Sequence, residues 1–373
     1  RESRHGIVLA KSPSAKKFGI RTGEPVVNAF RKCPNLHMDP PNHRMYREYS
    51  RRLMDFLKTY TPEIEQVSVD ECYMDFTGIA QRFSSPVEAA YEIKARVYEK
   101  FGFTVNVGIS TNKLLAKMAS DFEKPNRVHT LFPEEVKEKM WPLPVSELFM
   151  AGKSSVAILE KLEIRTIGEL AQTDPKLLEF HLKSHGRTLW EFANGIGDAK
   201  VQSEETAAKG VGNSTTLPKD VEKAEDAKKV LFSLAESVGK RLRKAGQKAN
   251  MVSVEIRYSD FQNVSHQKQL GRASGADQVI YEAACSLFDE LWNGEPIRLL
   301  GVRTAKLVDE DEPEQLSLFD LQFEEKPKKS MEKLKKLSAA MGEIRGKYGA
   351  DAVIRGSVLE QREKEKKYEK KQF

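Results

Sequence analysis

The amino-acid sequence predicts a multidomain α+β protein, and three observations support this fold class. The chain has 373 residues, which is too long for one compact core and indicates about two to four domains. Amphipathic helix patterns alternate with short apolar segments over residues 6–126, as in layers where helices cover a sheet. Residues 211–308 then show the order β-α-β-β-α-β, which is a split βαβ arrangement.

The composition excludes several classes of protein. Hydrophobic residues make up 39% and charged residues 31% of the chain, and no apolar run approaches the ~18 residues of a membrane span. The three cysteines, Cys33, Cys72 and Cys285, lie far apart without a CxxC pair, which favours a reducing cytosol over disulfides or a zinc site. Because the net charge of +6 is modest, local patches must indicate any nucleic-acid partner.

The first segment predicts a short buried strand followed by a capped helix. Residues 6–10 (GIVLA) are the apolar strand; Ser12 suits an N-cap, Pro13 the first helical position and Gly19 the helix stop. Basic side chains and free backbone N–H groups at such a helix start can hold phosphate. A plain capped surface helix is the alternative. Residues 45–60 predict the next helix, with apolar positions at helical spacing.

Three acids stand close together in residues 68–76 (SVDECYMDF), a strand-like segment. In an alternating strand, Glu71 and Asp75 share one face and Asp70 lies on the other, unless a turn intervenes. The adjacent Asp70 and Glu71 repel each other unless a hard cation such as Mg²⁺ binds against them. A hairpin turn with ordinary surface acids is the alternative for this segment considered alone.

The alternation of helices and strands continues beyond the acids. Residues 88–101 predict a second amphipathic helix, residues 104–110 a strand and residues 112–122 a third helix. Pro125 disfavours helix at its predecessor and places residues 124–126 in a turn. This order is the basis for expecting helices over one face of a sheet.

Residues 145–198 are nearly all helical in pattern and contain two glycine-bearing turns. Gly152 precedes Lys153 and Ser154 at the start of one helix, and Gly186 stands before another. In a helix–hairpin–helix, the glycine hairpin brings backbone N–H groups up to a DNA phosphate without reading bases. A small helical domain with ordinary turns is the alternative.

A polar linker at 201–210 leads to the unit at 211–308. Its predicted elements are strands at 211–217, 251–258, 264–270 and 297–307 and helices at 224–244 and 276–292. Short hydroxyl side chains and basic residues in this unit suit contacts with a phosphate backbone, although a solvated charged face is the alternative. The candidates are Ser214, Thr215, Thr216, Arg243, Arg257 and Ser265.

The C-terminal part contains a candidate docking peptide. Residues 309–314 are acidic, and residues 315–319 (QLSLF) follow as an isolated apolar segment outside any predicted domain. Such a peptide has no core of its own, so its side chains are suited to a partner's pocket. Its anchors are Gln315, Leu316, Leu318 and Phe319. Residues 322–373 form a basic tail whose contacts the sequence does not specify.

Taken together, these segments resemble the Y family of lesion-bypass DNA polymerases, and in particular its bacterial DNA polymerase IV and UmuC-like group. Residues 68–75 (SVDECYMD) are similar to one palm motif of that family. Residues 107–117 (VGISTNKLLAK) with 124–126 (KPN) are similar to its second palm motif. Residues 164–170 (IRTIGEL) resemble its thumb, and residues 212–218 (GNSTTLP) resemble the start of its little finger.

The resemblance implies a right-hand polymerase fold. Residues 315–319 are similar to the peptide that bacterial polymerases insert into the sliding clamp. The expected division is 1–141 for fingers and palm, 142–200 for the helical thumb, 201–210 for the linker, 211–308 for the little finger, 309–321 for the clamp-binding peptide and 322–373 for the basic tail.

The resemblance also implies roles for particular residues. Asp70 would bind a metal ion and Glu71 would lie near the primer 3′-hydroxyl, in a site for two Mg²⁺ ions with Mn²⁺ as a substitute. Lys16 stands where the family usually has a triphosphate-binding arginine, and Lys124 matches its second triphosphate-binding base. Either lysine acts as a point charge without the bidentate fork of arginine. Asp75 is then expected to be structural.

Three departures from the family pattern bear on these expectations. We expect the strand that carries the first metal-binding aspartate and the aromatic steric gate to lie in a missing segment upstream of Arg1. Without that strand, we expect the chain as written to have little polymerase activity by itself. Pro13 stands where a tyrosine usually contacts the triphosphate, which leaves Lys11, Ser12 or the backbone for that contact. Met150 replaces the first glycine of the usual Gly-x-Gly hairpin, which puts the phosphate grip of that loop in question.

The leading hypothesis is therefore an enzyme that copies DNA past damaged bases, with low fidelity and no proofreading, while tethered to the sliding clamp. Its expected partners are primer–template DNA, deoxynucleoside triphosphates and the clamp. It is expected to act as a monomer in the bacterial cytoplasm, associated with the nucleoid. The alternative is a non-catalytic DNA- and clamp-binding protein of the same fold.

Overall fold

The structure, a computed structural model, describes residues 6–204 and 207–312 and some residues between 340 and 353. Its helices are α1 (Pro13–Lys17), α2 (Val26–Lys32), α3 (His43–Leu57), α4 (Pro86–Phe101), α5 (Lys113–Asp121), α6 (Lys153–Lys161), α7 (Ile167–Gln172), α8 (Pro175–Leu182), α9 (Ser184–Ala193), α10 (Ala224–Lys244) and α11 (Asp277–Leu291). Its strands are β1 (Ile64–Gln66), β2 (Cys72–Met74), β3 (Val107–Ile109), β4 (Val128–Thr130), β5 (Gly210–Val221), β6 (Gln247–Tyr258), β7 (Asn263–Ser274) and β8 (Ile297–Asp309).

The chain divides into two compact units. One unit is residues 39–206, and the other combines residues 1–38 with 207–373. Within the described ranges, none of the helices combines the length and the apolar character that crossing a bilayer requires.

Helices α3 and α4 build the first core of the 39–206 unit. On α3, Leu53, Phe56 and Leu57 are buried, and Ile93 and Val97 of α4 belong to the same cluster. Both predicted helices are confirmed, because the apolar residues at helical spacing in each helix pack into one shared core. Burying each of these side chains contributes about 1.5–3 kcal/mol.

Two short ladders complete this layer. β1 pairs with β2 antiparallel, and β3 pairs with β4 parallel. The strand predicted at 104–110 is confirmed over its last residues as β3, whereas β4 has no counterpart in the sequence prediction. Helix α5 lies directly on β3, since a Cβ on Gly108 would stand 1.9 Å from the Ala116 carbonyl oxygen. Only glycine permits that approach, so α5 is held at a fixed height over the strand.

Helices α5 to α9 share the second core of the same unit. The leucines at its centre are Leu115 of α5, Leu159 of α6, Leu170 of α7, Leu178 of α8 and Leu189 of α9, all fully buried. The helical pattern predicted for residues 145–198 is confirmed by α6 to α9. Because this core continues from α5 into the later helices, α5 is packed both against β3 and against the helical region.

The N-terminal segment is built around α1 and α2. The buried strand predicted at 6–10 is wrong, because Ile7 makes a single isolated bridge to Pro25 and is 60% exposed. Within the described residues no further strand extends that bridge into a ladder, so the apolar run stays irregular. The predicted helix start is confirmed, since Ser12 Oγ accepts the Ala15 N–H at 3.1 Å and caps α1.

Strands β5 to β8 form one antiparallel sheet in the order β5-β8-β6-β7. β5 and β6, which α10 joins, run in the same direction with β8 between them, as the split βαβ prediction requires. The helix predicted at 224–244 coincides with α10, and α11 lies within the helix predicted at 276–292. The helices pack over one face of the sheet, on a core that includes Leu231, Ile256 and Phe288.

Candidate functional site

Asp70 and Glu71 lie in the turn that joins β1 to β2. The backbone N–H groups of Val67 and Ser68 both donate to the Glu71 carbonyl oxygen, at 3.0 and 3.2 Å. The turn intervenes in the strand-like segment, and only Cys72–Met74 is strand, so the alternation of faces does not apply to the two acids. Both acids are exposed at the tip of the hairpin.

The Ser68 hydroxyl organises this turn. It accepts the N–H of Glu71 at 3.1 Å and that of Asp70 at 3.3 Å, and it donates to Asp70 Oδ1 at 2.6 Å. Gln66 Nε2 donates to the Ser68 carbonyl oxygen at 2.8 Å and to Ser50 Oγ of α3 at 3.1 Å. The hairpin tip is therefore anchored to α3, and Asp70 is oriented by a local contact.

Two lysines of α5 form ion pairs with the hairpin. Lys117 Nζ lies 2.6 Å from Glu71 Oε1, and Lys113 Nζ, one helical turn earlier, lies 2.9 Å from Glu65 Oε2 of β1. Burial acts against the Lys117 ammonium, but its hydrogen bond to Glu71 and the charge of Asp121 outweigh that effect and raise the pKa of Lys117. Lys117 is therefore a stable positive charge beside Glu71.

Asp121 extends these ion pairs along α5. Its Oδ2 lies 3.3 Å from Lys117 Nζ, and its Oδ1 lies 2.7 Å from Lys124 Nζ. Burial favours the neutral acid, but the hydrogen bonds and charges of Lys124 and Lys117 prevail and lower the pKa of Asp121. The charges therefore alternate in the series Glu71, Lys117, Asp121, Lys124, which we call the α5 charge series. It runs from the hairpin tip to the turn predicted to bind nucleotide.

The two acids at the tip fit a divalent cation as part of its ligand set. Carboxylate oxygens are the ligands that Mg²⁺ prefers, and the ion usually takes one or two of them together with water and substrate phosphates. Among the described residues, no three His, Cys, Asp or Glu side chains come together as a metal site. Asp70 and Glu71 therefore suit a cation that a phosphate substrate helps to hold, and they do not form a closed protein cage.

Asp75 has a structural position. Its Oδ1 accepts the Thr77 N–H at 2.8 Å, and its own N–H donates to the Glu63 carbonyl oxygen at 3.0 Å. The hydrogen bonds from Thr77 lower the pKa of Asp75. These contacts support the expectation that Asp75 shapes the end of the hairpin.

The N-terminal candidates for nucleotide binding surround α1. Ser12 uses its hydroxyl as the cap, Lys11 Nζ donates to Thr22 Oγ1 at 3.2 Å, and Lys16 is exposed. Because α1 has five residues and begins at Pro13, which lacks an N–H, a phosphate would depend here on the lysine charges. The role of these residues in nucleotide binding stays a prediction.

The turn before α6 has an open helix start despite the missing first glycine. Met150 adopts a φ of 71°, the left-handed conformation that glycine favours, at a cost of about 1 kcal/mol or more. Gly152 is the N-cap of α6, and no side chain caps the helix. The N–H groups of the first helical residues, Lys153 and Ser154, can therefore donate to an anion beside the exposed Lys153 side chain.

Gly186, by contrast, does not lie in a turn. It is a buried residue of α9, and a Cβ there would stand 2.2 Å from the Leu178 carbonyl oxygen of α8. Its N–H donates to the Lys183 carbonyl oxygen at 3.0 Å. The predicted turn and DNA contact at Gly186 are wrong, because this glycine serves the close packing of two helices. In the sequence alone, a glycine required for close helix packing cannot be distinguished from a glycine required for a turn.

The helix-free face of the sheet, which we call the open sheet face, collects four of the predicted DNA-binding residues. One row across it consists of Ser214 of β5, Gly301 of β8, Glu255 of β6 and Ser265 of β7. The next row contains Thr216 and Arg257, and Arg257 Nε donates to Asn263 Oδ1 at 2.7 Å. Gly301 contributes no side chain, so the centre of the face is shallow, and the neighbouring Ser214 and Glu255 side chains leave Gly301 itself buried.

Two further predicted DNA-binding residues of the same unit, Arg243 and Thr215, do not lie on the open sheet face. Arg243 Nη1 donates to the Gly275 carbonyl oxygen at 2.8 Å and to Asp277 Oδ1 at 2.6 Å, which ties the end of α10 to the start of α11. The Asp277 side chain is 8% exposed, so Arg243 serves the fold. Thr215 pairs with Leu300 and therefore lies on the helix side of β5, opposite to its neighbours in sequence.

Sequence reasoning missed several residues that the structure brings to these sites. Lys113 and Lys117 lie four residues apart on α5, a spacing that places both on one helix face and offered a signal. Arg303 is exposed on the open sheet face in a row with Gly212 and Ser253, as period-two alternation along β8 indicates. The predicted clamp-binding anchors Gln315, Leu316, Leu318 and Phe319 lie outside the described residues.

Comparison with known proteins adds to this geometry. Family models for the impB/mucB/samB family and for the C-terminal domain of that family match residues 1–121 and 208–318. A DNA polymerase IV of Clostridium acetobutylicum is 47% identical over 363 residues, which are 97% of this chain and 89% of that protein. A DNA polymerase IV of Clostridium kluyveri is 34% identical over 360 residues, 96% of this chain and 90% of that protein.

The fold comparison agrees with these relatives. A solved structure of a Y-family DNA polymerase chimera matches this chain with a TM-score of 0.74 at 25% identity. The match covers 83% of this chain and 89% of the chimera.

Proposed function

This chain belongs to the impB/mucB/samB family of Y-family DNA polymerases, and we propose that the β1–β2 hairpin is its catalytic centre. The protein is a DNA-directed DNA polymerase of the translesion type. The proposal adds that Asp70 is a cation ligand and that Glu71 lies near the primer 3′-hydroxyl. It is carried by one observation: two exposed acids lie at the tip of a hairpin anchored to α3 and ion-paired with α5.

Asp70 and Glu71 would hold divalent cations, two Mg²⁺ ions with Mn²⁺ as a substitute, together with phosphate oxygens of the substrate. Such ions supply activation of the primer hydroxyl and neutralisation of charge on the triphosphate. The chain itself contributes orientation, because the Ser68 hydroxyl directs Asp70 and the Lys117 ammonium directs Glu71.

Binding of the deoxynucleoside triphosphate is assigned to Lys124 beside the palm hairpin and to Lys11, Ser12 and Lys16 of the N-terminal segment. Lys124 is 58% exposed and is paired only to the exposed Asp121 among the contacts described for it, so its charge is accessible to phosphate. A lysine acts here as a point charge, without bidentate geometry.

Primer–template DNA would be bound through its backbone at two surfaces. At the start of α6, Lys153 and Ser154 offer N–H groups and one positive charge, and Gly152 leaves the space beside them open. On the open sheet face, the proposed contacts are Ser214, Thr216, Arg257 and Ser265. Hydroxyl and basic groups of this kind position DNA without reading its sequence, which suits an enzyme that must accept any template.

Primer extension tests the assignment of the catalytic centre. The protein as its gene encodes it would be compared with Asp70→Ala and Glu71→Ala in Mg²⁺, with Glu123→Gln as a control at an exposed ion pair of the same unit. Each hairpin variant should lose about 10²- to 10³-fold in extension rate while the control keeps its rate. Undiminished extension in both hairpin variants would end the assignment, whereas absence of extension by the unsubstituted protein would favour a DNA-binding protein without catalysis.

We also propose that Gln315, Leu316, Leu318 and Phe319 tether the protein to the sliding clamp. The support is the apolar peptide in an acidic stretch of sequence, which suits a partner's pocket. Replacing both leucines and the phenylalanine with alanine should abolish clamp binding and leave extension without the clamp unchanged. Equal clamp affinity after this replacement would refute the role.

A further inference from the structure

The α5 charge series links the proposed cation site to the proposed triphosphate site. Lys117 pairs with Glu71 at 2.6 Å but with Asp121 only at 3.3 Å, whereas Asp121 pairs with Lys124 at 2.7 Å. Charge-assisted N–H···O bonds are ordinarily about 2.7–2.9 Å long. The Lys117–Asp121 pair is therefore longer than an ordinary charge-assisted hydrogen bond, whereas the Glu71–Lys117 and Asp121–Lys124 pairs are short.

The four side chains differ in how freely they can exchange partners. Lys124 and Asp121 are 58% and 43% exposed, so their pair is worth at most about 1 kcal/mol and yields readily to a more highly charged partner. Lys117 is only 17% exposed, so it must keep a carboxylate partner to offset its lost hydration. Two carboxylates are within its reach, and one ammonium cannot hold both equally tightly.

We propose that a triphosphate bound at Lys124 releases Glu71 for the cation through this series. When phosphate takes Lys124, Asp121 is left with Lys117 as its partner and closes the 3.3 Å gap. Lys117 then leans from Glu71 towards Asp121, and the Glu71 carboxylate becomes available as a ligand. The inference rests on the proposed function, in which Lys124 binds triphosphate and Glu71 binds the cation.

The surrounding fold confines this exchange to side chains. Helix α5 cannot sink towards β3, because the contact of Gly108 with the Ala116 carbonyl leaves no space. Lys113 holds the same helix to Glu65 of the hairpin at 2.9 Å, one turn before Lys117. Small shifts of Lys117 and Asp121 are therefore sufficient, and neither the helix nor the hairpin has to move.

Coupling of this kind is reciprocal: nucleotide tightens the binding of the cation, and the cation tightens the binding of nucleotide by the same factor. Part of that factor arises directly, because a cation bridges protein and phosphate in such sites. The part of the coupling that passes through Asp121 can be measured separately. The substitution Asp121→Asn removes only the charge between the two lysines and keeps Glu71, Lys117 and Lys124.

The experiment measures binding, without turnover. A fluorescent deoxynucleotide with a non-hydrolysable α,β bond is titrated into the protein–primer–template complex at low and at high Ca²⁺, using the protein as its gene encodes it. The variants are Asp121→Asn, Asp121→Glu and Lys124→Gln. Glu123→Gln is the matched control, because Glu123 pairs with Arg127 at 3.0 Å on the same surface and lies outside the α5 charge series.

The measured quantity is the factor by which Ca²⁺ tightens nucleotide binding. We expect this factor to be about 5-fold smaller in Asp121→Asn than in wild type and Glu123→Gln, and to be restored in Asp121→Glu. An Asp121→Asn protein with the same factor as Glu123→Gln would overturn the inference. Failure of the proposed function is a different result, in which Lys124→Gln binds nucleotide as tightly as wild type or Ca²⁺ has no effect on wild type.

Discussion

The hairpin tip and the open sheet face position the side chains proposed to function there in two different ways. At the tip, Glu71 is held by Lys117, which comes from another element and contacts Asp121 in turn. On the sheet, Ser214 and Ser265 occupy their places through strand register, in a row that crosses four strands. The first arrangement depends on particular partners, and the second depends on the backbone.

This difference predicts how each region responds to substitution. Side chains in one ion-pair series share their partners, so the effects of two substitutions there should not add. Side chains that stand separately on a sheet should each contribute independently, mainly to binding. The most informative tests therefore compare a residue that packs against or pairs with a second element with a residue that lies on a surface.

The largest effects are expected at Lys117 and its partner Glu71. Lys117→Met removes the charge that directs Glu71, and a misplacement of about 1 Å at a reacting centre costs about 10²-fold in rate. Glu71→Gln should reduce primer extension at least as much, and the double variant should be no slower than Glu71→Gln alone, because the two residues act as a unit. Single-turnover extension rates of the four proteins measure this. If the rate losses of the two single variants multiply in the double variant, Lys117 and Glu71 act independently, and the proposed difference between the hairpin tip and the open sheet face is wrong.

A second test compares the two glycines of the helical region. Gly186→Ala puts a Cβ against the backbone of α8 and should lower the free energy of unfolding by about 3 kcal/mol. Gly152→Ala meets nothing within 4 Å at a φ of −72°, so the fold should keep its stability. Thermal unfolding of the two variants distinguishes them. Equal midpoints would mean that the α8–α9 contact relaxes without cost.

The third test compares Arg243 and Arg257, two arginines of the region that contains β5 to β8. Arg243→Gln should destabilise the fold by about 1–3 kcal/mol, because it removes a charged hydrogen bond to the buried Asp277. Arg257→Gln on the open sheet face should leave stability unchanged and reduce the salt dependence of DNA binding by about one phosphate contact. Fluorescence anisotropy across a salt series and thermal unfolding give both quantities. A reversed pattern would return Arg243 to the DNA surface.

The smallest effect concerns pH. The pKa of Asp121 is lowered in the folded protein, so the contribution of Asp121 is complete above the ordinary carboxyl pKa and is lost as pH falls through the lower folded value. Asp121→Asn should therefore show a shallower loss of stability on acidification than wild type, and Glu123→Gln serves as the control. Identical acid profiles for wild type and Asp121→Asn would mean that the α5 charge series does not stabilise the fold.

The sequence predicted the elements of the 211–308 unit more accurately than those of the N-terminal segment. Helix α10 lies where apolar residues recur at helical spacing over 21 residues, so a long periodic signal fixes both its ends. The apolar run at 6–10 carries no such information, because five residues cannot show whether a neighbouring strand will cover them. The strand β4, with three residues, is too short to have a period of its own.

By itself, the sequence determined which residues are the candidates for the chemistry: Asp70 and Glu71 in a palm-like motif, and hydroxyl and basic groups in the later unit. Tertiary structure decided their partners and directions, such as Lys117 beside Glu71, Gly186 inside a helix pair and Thr215 on the helix side of its strand. The physical reason is that local patterns record burial and chain direction within one element. A carboxylate's counter-charge, a glycine's close contact and a strand's register each depend on a second element that lies far away in the sequence.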